Sequence, residues 1–259
     1  MATYNKRGYK EPKPKAEKEI NEFEEVKVGD STTAEVFDSL DQKASKMEDW
    51  VAKNLKYILG FLGAVALVTI GYLLYNKFVS EPKELEASNE MFQAQQYFEQ
   101  AVSAPTGADS LFNLALKGGE GKLGFTGIVE QYSGTKAANL AHFYAGMAYL
   151  NTKKFKEAVE HLENFSSDDM VFKAQALGGI GDAFSELNKK EDALNYYKKA
   201  IDANENDFTT PRYLLKAAFL AMDMKKNEEA LEFFKTLDEK YEQTPEGQQA
   251  KAYNAMLEK

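Results

Sequence analysis

The sequence predicts an all-α chain with a single N-terminal transmembrane helix followed by a superhelix of helical hairpins. Three observations carry that prediction. Residues 57–75 form an uncharged apolar run, three later segments repeat one ladder of small and bulky residues at spacings of 35 and 37, and no segment alternates polar and apolar residues as a half-buried strand would. Composition agrees with it. The 259 residues are 44% apolar and include 17 Phe and 14 Tyr, enough to build an ordered domain, while a mean hydropathy of −0.51 excludes a polytopic membrane protein. The absence of cysteine removes disulfide scaffolds, thiolate zinc sites and thiol nucleophiles together.

The first element is the run YILGFLGAVALVTIGYLLY, Tyr57 to Tyr75, in which Thr69 is the one ordinary polar side chain. At helical rise it covers about 28 Å, the thickness of a bilayer's hydrocarbon core. Tyr57, Tyr72 and Tyr75 stand near its ends, where a ring can place its hydroxyl among headgroups, and Lys53, Lys56 and Lys77 flank it. A transmembrane helix is therefore expected over 57–79. With 56 mostly polar residues before the run and no small-x-small site after it, a retained signal anchor fits and a cleaved signal peptide does not. Lys43, Lys46, Lys53 and Lys56 precede the span and Lys77 and Lys83 follow it, which predicts a cytoplasmic N-terminus.

Ahead of the span, residues 1–30 are rich in Lys, Glu and Pro with almost nothing to bury, so a disordered cytosolic tail is expected there. Residues 31–56 open on Thr32 with Glu35 as a capping-box partner, and Val36, Phe37, Leu40, Ala44, Met47, Trp50, Val51 and Leu55 follow at helical spacing. This amphipathic juxtamembrane helix has a polar face of mixed charge, which matches a protein partner or a self-packed stub better than an anionic lipid surface. After the span, Ser80-Glu81-Pro82 is expected to interrupt the helix and to start another, since Ser caps and Pro fits a first turn.

Residues 80–259 hold 20 basic and 29 acidic side chains, with no basic stripe for phosphates, so nucleic acid is not an expected partner. Their organisation is an internal repeat. Gly146, Tyr149, Phe155, Ala158 and Leu162 align without gaps on Gly181, Phe184, Lys190, Ala193 and Tyr197, and then on Ala218, Ala221, Asn227, Ala230 and Phe234. Each unit is two helices, A and B, joined by a polar turn, NTKK, NKK or MKKN. The small residue of helix A lets helix B cross closely, and the Ala of helix B accepts a bulky neighbour. Leu85–Val102 with Phe125–Tyr132 forms a degenerate N-terminal repeat in this reading, and Glu246–Leu257 a capping helix.

These units resemble the tetratricopeptide (TPR) repeat, although the family's Trp near the start of helix A and its closing Pro are missing. The resemblance implies a concave groove lined by fixed positions of helix A. In the first unit these are Leu140, Phe143, Met147, Leu150 and Asn151; in the second, Gln175, Gly178, Asp182, Ser185 and Glu186; in the third, Arg212, Leu215, Phe219, Met222 and Asp223. The core candidate set for protein binding is Leu140, Phe143, Met147, Leu150, Asp182, Glu186, Leu215, Phe219 and Met222. Two readings of them stay open: adaptable contact with apolar peptides, or burial against the chain's other helices or a neighbouring subunit.

Catalytic readings find no footing. Gly119 to Gly124 spells GxGxxG, but a helix-like stretch precedes it where a strand is required, and Leu123 occupies the magnesium-binding position of a Walker A loop. His142 and His161 lack metal-ligand spacing, and no GxSxG or HExxH is present. No cofactor, no metal and no enzymatic activity are expected.

A cytosolic segment, one span and a TPR-like domain in this order resemble the YfgM-type ancillary subunit of the bacterial SecYEG translocon. The likeness rests on LGFLGAVALVTIGYLLYNKF, the post-span helix ending YFEQAV, and the unit AHFYAGMAYLNTKKFKEAVEHL. It implies a single-pass inner-membrane protein whose 80–259 domain lies in the periplasm beside SecYEG and a PpiD-like chaperone, helping exported unfolded chains to reach folding factors. Beyond its surrounding lipid the span would then meet other helices, through the small residues Gly60, Gly63, Ala64 and Gly71. The alternative is an envelope scaffold that joins cell-wall or outer-membrane assembly machinery without touching the translocon.

Overall fold

A computed structural model describes residues 32–203 and 205–257, so the expected tail over 1–30 lies outside the described residues. Among the described residues all regular structure is helical. The chain divides into two units, Met1–Ile70 and Gly71–Lys259.

In the first unit the described residues belong to α1 (Thr32–Tyr75), one unbroken helix that joins the amphipathic segment to the apolar run. Trp50, Leu59, Phe61, Leu67 and Val68 are all exposed. A core helix of a water-soluble domain would hide such side chains. By length and composition, this is the one helix among the described residues able to cross a membrane.

In the second unit the expected break at Ser80–Pro82 does not occur. Ser80 and Glu81 keep right-handed helical dihedrals, and α2 (Glu81–Ser103) follows directly on a π-helical turn, Asn76–Ser80. Proline explains the turn: inside an α-helix, Pro82 would lack its N–H and press its ring on the carbonyl of Phe78. Widening the helix by one residue, so that the Glu81 N–H donates to the Asn76 carbonyl, relieves both faults without ending the helix.

The helices that follow are α3 (Ala108–Lys117), α4 (Phe125–Gln131), α5 (Lys136–Asn151), α6 (Phe155–Glu163), α7 (Met170–Glu186), α8 (Lys190–Ala203), α9 (Thr210–Asp223), α10 (Asn227–Lys240) and α11 (Pro245–Leu257). Helix α2 pairs chiefly with α3 rather than with α4, which corrects the expected pairing in the N-terminal repeat. It also caps α5 from a distance, because the Glu84 carboxylate accepts the N–H groups of Lys136 and Ala137 at 2.6 and 2.8 Å. The GxGxxG stretch is the loop from α3 to α4, tied to α2 by Lys122 and Glu90 at 2.7 Å, and it holds no strand.

The three A/B pairs are α5/α6, α7/α8 and α9/α10, and their crossings explain the repeated small residues. A Cβ built on Gly146 would approach Leu162 at 2.5 Å, and one on Gly181 would approach the Tyr197 ring at 2.6 Å. Ala158, Ala193 and Ala230 are fully buried on the facing helices. The A-to-B turns are identical in hydrogen bonding: Lys154 N–H to Tyr149 O, Lys189 to Phe184 and Lys226 to Ala221, each closing a Schellman motif. Its left-handed residue is Lys153, Asn188 or Lys225, at φ of 59, 57 and 61°.

Both features can be measured by thermal denaturation followed by circular dichroism. Gly181→Val forces a side chain into the Tyr197 ring and is expected to cost about 1–3 kcal/mol. Lys225→Gly relieves a left-handed L-residue and is expected to stabilise by about 0.5–1 kcal/mol.

Candidate functional site

Successive A helices stack with their equivalent faces aligned, so residues 35 apart meet. Met147, Leu150 and Asn151 occupy positions i, i+3 and i+4 of α5, and Asp182, Ser185 and Glu186 occupy the same positions of α7. Together with Lys153, Phe155, Tyr197 and Lys216 they line one open groove of about 520 Å³. Of the predicted binding residues, Met147, Leu150, Asp182 and Glu186 come together here.

The groove has an apolar wall and a charged floor. Met147, Leu150 and Phe155 make the wall. On the floor, the half-buried Asp182 accepts hydrogen bonds from the Tyr197 hydroxyl at 2.8 Å and from Lys216 Nζ at 2.6 and 2.7 Å. The same ammonium lies 6.0 and 5.9 Å from the ring centroids of Tyr197 and Tyr213. Burial, and then the Asp182 charge, push both tyrosine hydroxyls well above their ordinary pKa. Both tyrosines stay protonated; Tyr197 acts as a fixed donor to Asp182, and both rings lie beside the Lys216 ammonium. Asp182 is held by both partners, a structural charge that sets the groove's polarity. Glu186 is exposed at the rim and pairs with no cation among the described residues.

The other predicted positions lie outside this groove. Phe143, expected in the groove, is buried at 5% exposure, with Phe172 and Phe165 at 5.1 and 5.2 Å between ring centroids. The reason is geometric: the fifth position of helix A is where the next repeat leans in. At the equivalent Gly178 the Tyr213 ring occupies the space a Cβ would need. Leu140 is half-buried between two apolar clusters. Leu215, Phe219 and Met222 pack against the C-terminal cluster, and Phe219 sits 4.9 Å from Tyr253 of α11 and 5.7 Å from Phe234. The chain's own last helix thus partly covers the third unit's share of the groove. Gly60, Gly63 and Gly71 have nothing within 4 Å of a built Cβ, and Ala64 is exposed.

Tyr197 and Lys216 complete the floor, and neither stands among the groove positions that the repeat resemblance implies. A faint signal existed in the spacing, since Lys216 follows Asp182 by 34 residues, about one repeat. The two histidines, nineteen residues apart in sequence, are also brought together, with ring centroids 5.1 Å apart and both Nδ1 atoms buried without a hydrogen-bond partner. Among the described residues, no group of three His, Asp or Glu side chains could hold a metal ion.

Residues 174–207 match the tetratricopeptide repeat family model. The match spans most of α7, the turn and α8, which is the second of the three A/B pairs and supplies the Asp182 side of the groove. A repeat of this kind supports a role in binding other proteins. No curated protein matches the chain.

The histidine pair has a consequence for pH. Burial lowers the His142 pKa, the neighbouring His161 lowers it further, and Glu160 opposes both; burial likewise lowers that of His161 against Glu160. Above the ordinary histidine pKa, near 6.5, both rings are neutral folded or unfolded and no penalty arises. As pH falls through that value the unfolded chain binds protons that the folded pair resists, so stability declines. The melting temperature is expected to fall between pH 7 and pH 5, and His161→Leu is expected to flatten that slope.

Proposed function

We propose that the chain is a single-pass inner-membrane protein with a cytoplasmic N-terminus, built as a tail (1–30), a juxtamembrane helix (31–56), a span (57–79) and a periplasmic binding domain (80–259). In this reading it acts as a YfgM-like ancillary subunit of the SecYEG translocon and receives exported chains for a PpiD-like chaperone. The single observation that supports it most is the union of an exposed apolar helix with stacked hairpins whose A helices present Met147, Leu150, Asp182 and Glu186 in one groove.

The chemistry of that groove suits transient capture. An unfolded chain offers apolar side chains without a fixed sequence, and a wall of Met147, Leu150 and Phe155 accepts them non-directionally, the thioether adapting its shape. The Asp182–Lys216 pair, held by Tyr197, offers polar contacts to a peptide backbone without a net charge. Glu186 at the rim favours segments carrying Lys or Arg. A groove confined to the junction of two repeats holds only a short segment, so release is fast, as transfer to a folding factor requires. In the membrane, Gly60, Gly63, Ala64 and Gly71 would let the span approach translocon helices closely.

Two experiments test the reading. A tagged full-length chain purified in mild detergent is expected to retain SecY and a PpiD-like chaperone; recovery of stable envelope partners with no SecY would favour the scaffold alternative and remove the translocon. Photocrosslinkers at Met147 and Leu150 are expected to capture exported chains in intact cells, and Met147→Asp with Leu150→Asp to reduce capture at least tenfold with helicity unchanged.

A further inference from the structure

A second recess lies at the same repeat junction but outside the groove. Leu162, Phe165, Ala176, Leu177 and Ile180 enclose an apolar crevice of about 370 Å³, and Lys173 and Lys199 stand among its lining residues. Neither lysine pairs with a carboxylate among the described residues; Lys199 instead sits 4.4 Å from the ring centroid of Tyr196. The single carboxylate in the lining, Glu163, accepts the Tyr196 hydroxyl at 2.9 Å. That bond helps push the tyrosine pKa, already raised by burial, up to about 12.

The rim is preformed. Asn139 on α5 exchanges two hydrogen bonds with the backbone of Ser166, at 2.7 and 3.0 Å, and Asp169 caps α7 through the N–H groups of Val171 and Phe172. The repeat offers an internal comparison. Thirty-seven residues on, Leu214 takes the place of Leu177, but Thr210 and Thr236 take the places of Lys173 and Lys199. In that recess Lys240 is paired with Glu205 and Tyr241 is buried. Two cations without an ion-pair partner among the described residues, set over an apolar crevice, are therefore a property of this junction and not a requirement of the repeat.

We propose that this crevice is a second docking site, for a partner-protein segment in which a bulky apolar side chain is flanked by carboxylates. The proposal goes beyond the groove reading and does not depend on it. Charge complementarity selects the occupant: within a region of 20 basic and 29 acidic residues, an apolar recess bordered by two ammonium groups without an ion-pair partner among the described residues, and by one carboxylate that already accepts the Tyr196 hydroxyl, favours an acidic-apolar segment over a basic one. The volume suits one or two side chains of a peptide, at the lower end of the range for ligand recesses.

The test uses the full chain in phosphatidylcholine nanodiscs and fluorescein-labelled peptides carrying Asp-Leu-Phe-Asp or Lys-Leu-Phe-Lys, read by fluorescence anisotropy. The acidic probe is expected to bind at least tenfold more tightly than the basic one, and Lys173→Glu with Lys199→Glu is expected to reverse that order. Reversal requires a folded crevice, so an unfolded variant is not mistaken for support, and circular dichroism checks it independently. Absence of saturable binding, equal binding of both probes, or an order unchanged by the double variant overturns the proposal. Displacement of the acidic probe by oleate would make the crevice a lipid site and overturn the peptide assignment. Loss of acidic-probe binding in Leu150→Glu, with binding retained in the double lysine variant, would place the peptide in the groove and likewise overturn it.

Discussion

The architecture depends on the missing side chains at Gly146 and Gly181. Each removes the one Cβ that would keep helix B from lying against helix A, and the space is filled by Leu162 in one pair and by Tyr197 in the next. Close crossing turns each pair into a thin wedge, and wedges with equivalent faces stack into a superhelix. Every A helix then presents its i, i+3 and i+4 side chains beside those of its neighbour. The groove follows from that register; no residue in it has to be placed by a loop.

Stacking also limits the groove. The same closeness that aligns successive A helices drives the Tyr213 ring into the space beside Gly178 and folds Phe165 and Phe172 over Phe143. At the far end α11 lays Tyr253 against Phe219 and Phe234. What is left open is the junction of the first two pairs. Its floor is polar because Asp182 is satisfied there by a hydroxyl and an ammonium from two later elements, a triad that only the assembled stack can form.

Much of this was legible in the sequence because it is periodic. Small residues at spacings of 35 and 37, polar turns between them and an uncharged run of 19 residues each report a local requirement that one stretch of chain must meet alone. The misses share the opposite property. Phe143 and Phe219 occupy positions that face both a groove and the next helix, and which of the two wins depends on residues as distant as Tyr253. Pro82 carries a strong local signal for a break, yet a π-turn four residues earlier absorbs the fault. Lys216, Tyr197 and the two lysines of the crevice join their sites only through tertiary packing, where spacing within one helix carries no information.

In a stacked array each repeat touches only its neighbours, so a perturbation at one junction reaches the next chiefly through the shared helix. At the open junction that helix is α7, and Gly179 marks where its two recesses come closest. A Cβ built there would meet Leu162 of the crevice at 3.0 Å and Leu150 and Met147 of the groove at 3.2 and 3.4 Å. Any side chain at position 179 would press on Leu162, Leu150 and Met147 at once, and so on residues that line both recesses. A glycine at this position leaves the room in which side chains lining both recesses pack against one helix.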